Sequence, residues 1–331
     1  MRRSAVGGRS AVDADMRPAE PRGSARRKAV AVATVAAVVL GAVYAIYRER
    51  HAFGEALHRV GVWAMLLSLA IGAAGVAVTY PLWREVLRGL GVSLPWVQGA
   101  RVFFTSQLGK YLPGSVWPVV MQMEAGRARG ASRRTMLSGT LLTVVLSCCV
   151  GLLVACVALP VWSAHALAHY WWVLLALPVL FALLHPRALP ALLDRVFALV
   201  GREPLREHLP MRSTVRAGAW SVLSWLLLGT HVYVLCAALG HAGFSAFALC
   251  VGGTALAVSA GVLLIPVPAG AGLREVVLLL VLRSILGPGQ ALAVVVASRA
   301  LLIVADLLLA ALVGAPRAVR STLRREQRPA L

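Results

Sequence analysis

Two short stretches hold most of the residues with chemical potential in an otherwise apolar chain. The first, residues 107–118, reads Gln-Leu-Gly-Lys-Tyr-Leu-Pro-Gly-Ser-Val-Trp-Pro and contains Lys110, one of only two lysines. The second, residues 265–275, reads Ile-Pro-Val-Pro-Ala-Gly-Ala-Gly-Leu-Arg-Glu and closes on Arg274 and Glu275. A helix that restarts after such a break presents unpaired N–H groups and the positive end of its dipole. Gly114 precedes the first restart, and Gly270 and Gly272 precede the second. With Lys110 and Arg274 beside them, these starts could hold an anionic group such as a lipid phosphate. Glu275, in the first turn of the second restart, could favour the dipole or pair with Arg274. The competing reading makes the Pro/Gly sites structural kinks and lets the charges snorkel to an interface.

Arg299 and Asp306 stand seven residues apart in the last apolar run. Seven residues are nearly two helical turns, so the two share a face, about 10 Å apart along the axis. A charge facing lipid costs roughly 2.5–3.5 kcal/mol or more, so that face is expected to look into the protein. There Glu275, Arg299 and Asp306 could balance charge around a phosphate, or each could hold a structural partner on another helix. Arg101, Glu124 and Arg127 flank the first break, where an entry route and a cytoplasmic-face role suit them equally well; Arg283 ends the short second helix and is expected to snorkel to a headgroup.

Other polar groups carry weaker signals. His165 and His169 have the i, i+4 spacing of a metal pair, but no carboxylate completes a site beside Tyr170-Trp171-Trp172, so no metal is expected. His231, alone in an apolar helix, is expected to bond to a neighbouring helix. Gly270-x-Gly272 lacks the third glycine of a nucleotide fold, and Gly109-Lys110 lacks a phosphate-loop frame, so no cofactor is expected. No nucleophile–base constellation is present, and the expectation is that the chain is not an enzyme. An enzyme acting on a lipid phosphate would have to use Glu124, Glu275 or Asp306 as its carboxylate. The five cysteines all fall in apolar runs without a C-x-x-C and read as packing residues.

The elements that must position these residues are set by composition. Hydrophobic residues make up 59% of the 331 and charged residues 14%, which excludes an ordinary soluble domain and predicts a polytopic membrane protein. Apolar runs cover 29–47, 61–82, 135–160, 170–185, 217–239, 244–265 and 291–313, most of them near the 20 or so residues that cross a bilayer. The net charge of +20 concentrates between runs. It lies in residues 1–28, 127–134 and 186–216 and after Pro316, whereas 161–169 and 240–243 have no Lys or Arg. That is a positive-inside pattern with both termini cytoplasmic, and it accounts for the basic charge without nucleic acid. The run 29–47 is too long for a signal peptide and closes on Tyr44-Ala-Ile-Tyr-Arg, not on a small-residue cleavage site, so it reads as a retained anchor.

The fold expected is therefore an all-α, polytopic transmembrane bundle with re-entrant or broken helices. Broken backbone with charge at membrane depth survives only inside protein or beside a water-filled cavity. Residues 98–123 are too polar for a simple span and fit a re-entrant hairpin folded at Pro113-Gly114. In the second half, 244–265 and 273–286 could both cross, giving eight crossings. They could instead form a second hairpin entering from outside, giving six crossings and an inverted repeat. Three regions follow: a basic, disordered tail at 1–28, a transmembrane domain at 29–315 and a basic tail at 316–331.

Both breaks resemble those of the lysylphosphatidylglycerol synthase transmembrane-region family of flippase-like proteins, over roughly residues 30 to 315. The first anchor is Gly109-Lys110-Tyr111-x-Pro113-Gly114-x-x-Trp117, with Arg127 after it. The second, more specific anchor is Pro266-x-Pro268-x-Gly270-x-Gly272-x-Arg274-Glu275, followed by Arg299 and Asp306. Many members carry Gly-Glu soon after the first Pro-Gly, where this chain has Trp117-Pro118, with Glu124 further on. The resemblance implies a membrane domain that moves lipids or lipid-linked sugars between leaflets. Full-length synthases add a soluble domain that transfers lysine from charged tRNA; this chain ends in a short basic tail and is not expected to make lysyl-lipid itself.

Two functional readings follow. In one, a cell-membrane flippase translocates an anionic phospholipid or a polyprenyl-phosphate-linked lipid, with Lys110, Arg274, Gly114, Gly270 and Gly272 at the phosphate. In the other, a non-transporting scaffold anchors a lipid-modifying enzyme or a glycosyltransferase.

Overall fold

The computed structural model describes residues 44, 47–111, 117–127, 131–162, 175–199, 209–263 and 272–326. Residues 1–28, almost all of the run 29–47, Pro113-Gly114-Ser115, His165, His169 and Pro266 through Gly270 lie outside the described residues.

The described elements are helical. The apolar run 61–82 forms the body of α1 (Arg50–Gly89), which bends at Gly61, where φ is +68°. That backbone region favours a residue without a Cβ. Next come α2 (Trp96–Gln107), a single 3-10 turn (Leu108–Tyr111) and α3 (Trp117–Arg127). Then follow α4 (Arg133–Trp162), α5 (Ala176–Leu183), α6 (Ala188–Leu199) and α7 (Met211–Ala238). The chain continues through α8 (Phe244–Leu263), α9 (Leu273–Leu282) and α10 (Pro288–Glu326). Among the described residues five helices are long and apolar enough to cross a membrane: α1, α4, α7, α8 and the Pro288–Gly314 part of α10.

Of the two readings open for 273–286, the hairpin fits better: α9 has ten residues, about 15 Å of helix against about 30 Å of hydrocarbon. The basic segment 186–216, which falls between apolar runs, contains helix α6, whose Leu189 is buried in the core. The basic stretch after Pro316 begins as a continuation of α10, which stays helical through Glu326.

Helices α1 and α7 form the central antiparallel pair. Ser224 donates to the Gly75 carbonyl at 3.0 Å, Ser68 donates to the His231 carbonyl at 2.8 Å, and Gly89 lies against Ser213. Small residues let other helices approach as closely: Gly229 of α7 abuts the backbone of Val251 in α8, and Gly151 of α4 abuts Ser259 of α8 and Trp225 of α7. Such contacts supply packing in a medium where lipid tails are as apolar as the side chains. All five cysteines are buried free thiols.

Two helical excursions leave this frame from opposite ends. Helices α2 and α3 follow the C-terminal end of α1, and α4 begins there too, with Gly139 against Leu87. Gln122 of α3 donates to Ser106 of α2, and Gly109 lies against Trp117 and Pro118. These pairs are centred on Pro113-Gly114, the fold point expected for the first hairpin. Helix α8 instead starts beside the C-terminal end of α7, with Phe247 against Tyr233. It packs on α9 through Gly253 and Val281, and α10 then begins with Gly289 against Ala52, near the start of α1. The order of long helix, helical pair, long helix thus occurs twice, in opposite senses. This is the topology of the six-crossing arrangement, except that α8 is itself long enough to cross.

Candidate functional site

Helix α10 gathers the two breaks. Its residues Arg299 and Asp306 lie about 16 Å and 27 Å along the axis from Pro288, and Asp306 stands about 12 Å short of Gly314. Both are therefore far from the ends of the candidate span. The Asp306 side chain is 3% exposed and pairs with Lys110, Nζ to Oδ2 2.6 Å. The same Oδ2 accepts a hydrogen bond from the Tyr111 hydroxyl. Seven residues earlier, Arg299 Nε faces Glu275 Oε1 at 3.6 Å. One helix face thus reaches the first break through Asp306 and the second through Arg299.

Local geometry fixes each partner. The 3-10 turn ending α2 carries Lys110 and Tyr111 next to each other, with Gly109 buried beneath them. A Cβ on Gly109 would come to 3.0 Å from the Pro118 backbone nitrogen, so glycine permits this close approach of the 3-10 turn to the start of α3. At the second break Gly272 has φ +97° and caps α9. Glu275 reaches back to accept the Gly272 N–H at 2.8 Å, the acidic half of a capping box. Glu275 therefore ties the start of α9 to Arg299 of α10. The first hairpin is held by a buried amide: Gln122 donates to Ser106 at 3.0 Å, while Thr140 of α4 donates to Gln122 at 2.6 Å.

Arg274 completes the cluster. It lies close enough to Arg299, Glu275, Asp306 and Tyr111 to interact electrostatically with each, and with Lys110 as well. The ion pairs of the two carboxylates go to Lys110 and Arg299. Among the described residues Arg274 has no carboxylate at ion-pair distance. Three cations therefore face two carboxylates, and one positive charge is unmatched. The cluster is also graded in exposure. Asp306 lies at its floor, whereas the side chains of Lys110, Arg299 and Glu275 are 34%, 29% and 29% exposed.

Lys110, Arg274, Glu275, Arg299 and Asp306, expected from sequence to meet, are thus brought together. Gly272 stands beside them, but its N–H, expected at a phosphate, is taken by Glu275. Gly114 and Gly270 lie outside the described residues. Tyr111 was not among the expected site residues; its signals in sequence are its place next to Lys110 and in the first anchor, and its partner is 195 positions away. Glu124 stands apart, paired with Arg133 at 2.6 Å on an exposed surface. Arg101 donates to the Val313 carbonyl at 2.8 Å and anchors α2 to α10. Arg283 is exposed after α9.

His231 supports this arrangement from behind. Its Nδ1 lies 2.9 Å from the Ser68 carbonyl and 2.7 Å from the Ser68 hydroxyl. Nε2 lies 2.9 Å from the Ser298 hydroxyl. The side chain is fully buried and joins α1, α7 and α10 one position before Arg299. The expectation that it bonds across helices holds, with two neighbouring helices as its partners.

No curated protein and no solved structure is significantly similar to this chain. Among protein families, residues 29–310 match the lysylphosphatidylglycerol synthase TM region. That match spans most of the chain and contains both breaks together with Arg299 and Asp306. The chain is a multi-pass integral membrane protein and belongs to the lysylphosphatidylglycerol synthase TM region family.

Proposed function

We propose that this protein binds an anionic lipid by its phosphate at the junction of the two breaks and moves it between leaflets. The observation that carries the reading is the surplus cation. Arg274, with Lys110 and Arg299 close by, leaves one positive charge unmatched among helices, where a counter-anion is worth far more than in water. Asp306 is paired with Lys110, and Glu275 with Arg299. A phosphate entering beside Arg274 would compete with those carboxylates and let α10 shift against the two helical pairs. Exchanging one set of ion pairs for another keeps the charge balanced while the site changes the side to which it opens.

The substrate is an anionic phospholipid or a polyprenyl-phosphate-linked lipid, and no covalent chemistry is assigned. With the run 29–47 as a further crossing, the basic segments and both termini lie on the cytoplasmic face of the cell membrane. The test is leaflet exchange of fluorescent phosphatidylglycerol in proteoliposomes, comparing wild type with Lys110→Ala and Arg274→Ala. Exchange by wild type that drops at least tenfold in both variants supports the reading. Exchange indifferent to both substitutions refutes the site. No exchange of phosphatidylglycerol or of a polyprenyl-phosphate lipid would favour a non-transporting scaffold for a lipid-modifying enzyme.

A further inference from the structure

We infer that the anion binds together with a proton: as it draws Lys110 away, the Asp306 carboxylate takes a proton on Oδ1, so anion and proton move as a pair. The inference rests on the anion-site reading above and adds to it the coupling of that site to protons. Two observations converge on it. The first is the way Asp306 is held. Its Oδ2 faces the Lys110 ammonium at 2.6 Å and accepts the Tyr111 hydroxyl. Its Oδ1 is buried and has no hydrogen-bond partner among the described residues. One ammonium and one hydroxyl on the same oxygen are thus the direct partners of a carboxylate that is 3% exposed.

The second observation is that the partner able to leave is the accessible one. The Lys110 side chain is 34% exposed, whereas Asp306 lies at the floor of the cluster. Lys110 is a long, flexible side chain in a short 3-10 turn, while Asp306 is a short one on a long helix. A phosphate arriving beside Arg274 reaches the ammonium from the open side, and Asp306 cannot follow. That leaves a buried carboxylate with a phenol as its one donor and a second anion nearby. A buried carboxylate without its counter-charge neutralises by taking a proton, and crowding two anions into one site favours the same outcome. The proton comes from water on the open side and forms an O–H bond at Oδ1, while Oδ2 keeps the Tyr111 hydroxyl. No other covalent bond forms or breaks. When the anion leaves, Lys110 returns to Oδ2 and the proton returns to water. Each partner then favours binding of the other, so a proton gradient can drive the anion.

Charged and titratable groups face this point from several elements. They are Lys110 and Tyr111 of the turn, Arg274 and Glu275 of α9, Arg299 of α10, and His231 of α7, which interacts electrostatically with Arg274. Arg101 of α2 is turned to the Val313 carbonyl, and α1 meets α10 here with Gly72 against Leu302. Glu275 keeps the Gly272 N–H as a donor even where a phosphate competes for Arg299. His231 has partners at both ring nitrogens, Ser68 and Ser298. Within this group Asp306 alone has a buried oxygen without a partner among the described residues.

The experiment titrates short-chain phosphatidylglycerol into the purified full chain in phosphatidylcholine nanodiscs by calorimetry, at one pH in buffers of unlike ionisation enthalpy. The difference in heat between buffers counts protons, and wild type is expected to take up about one per lipid bound. One proton taken up also makes affinity fall as pH rises, by about tenfold per pH unit where the free site is deprotonated and the bound site is not. The phosphodiester stays ionised near neutral pH, so that slope belongs to the protein. Asp306→Asn should bind with equal heat in all buffers and without the slope. Equal heats in wild type, with binding weakened by Arg274→Gln, would overturn the proton step and leave the anion site standing. Proton uptake that survives Asp306→Asn would put the proton on another group, such as Glu275 or His231, and overturn the assignment. Binding that ignores Arg274→Gln, or no binding of this lipid, would remove the anion site as drawn here and this inference with it. Should Asp306→Asn fail to fold, the wild-type proton count and pH slope decide.

Discussion

The ion pair between Lys110 and Asp306 can be tested without any ligand, because it joins the first break to the last long helix. Lys110→Met keeps the length of the side chain but leaves the Asp306 carboxylate with the Tyr111 hydroxyl as its one partner. Breaking a fully buried pair costs about 3–5 kcal/mol, whereas an exposed pair contributes about 0–1 kcal/mol. Here the carboxylate end is 3% exposed and the ammonium end 34%, so the loss should fall between those limits, at about 2–3 kcal/mol. The double variant Lys110→Met/Asp306→Leu removes both charges and should recover part of that loss, with a coupling of about 1–2 kcal/mol. The assay is reversible chemical unfolding in mixed micelles of wild type, both single variants and the double variant. A Lys110→Met variant within about 0.5 kcal/mol of wild type would refute the pairing. So would a double variant whose loss equals the sum of the single losses.

Three further outcomes follow from the same geometry. His231→Leu removes hydrogen bonds to Ser68 and Ser298 and leaves their groups unsatisfied in the core. It should cost about 2–3 kcal/mol in the same unfolding assay, and His231→Asn should cost less. Gly109→Ala places a Cβ within 3.0 Å of the Pro118 nitrogen, so the first hairpin must shift; lipid exchange should fall while helix content by circular dichroism is unchanged. Glu275→Gln keeps an acceptor for the Gly272 N–H but loses the charge facing Arg299, whereas Glu275→Ala loses both. The alanine variant should therefore unfold at least about 1 kcal/mol more easily than the glutamine variant.

The long helices were legible because their information is local. Apolar length announces α1, α4, α7 and the span of α10, and Pro113-Gly114 announces the fold between α2 and α3. The seven-residue spacing of Arg299 and Asp306 correctly put them on one face. What that spacing could not give is the division of labour on the face, Asp306 to Lys110 and Arg299 to Glu275. Those partners are set by how the hairpins dock on α10. Tyr111 stayed hidden for the same reason, since an exposed phenol and one bound to a buried aspartate look alike in sequence. Segment 273–286 stayed open between two readings because its apolar residues suit a half-length helix packed in protein as well as a full span. Helix α6 was hidden because its segment, basic overall, falls between the long apolar runs, although Leu189 anchors it in the core.

The central claim is that a lipid phosphate sits where the two breaks meet, and its most direct test is the position of that phosphate. The measurement is an experimental structure of the full chain in nanodiscs rich in phosphatidylglycerol, read for phosphate density around Arg274. The account predicts a phosphate within hydrogen-bond distance of Arg274, with Lys110 drawn toward it and away from Asp306. A phosphate bound elsewhere, with Lys110 and Asp306 still paired and nothing beside Arg274, would contradict it.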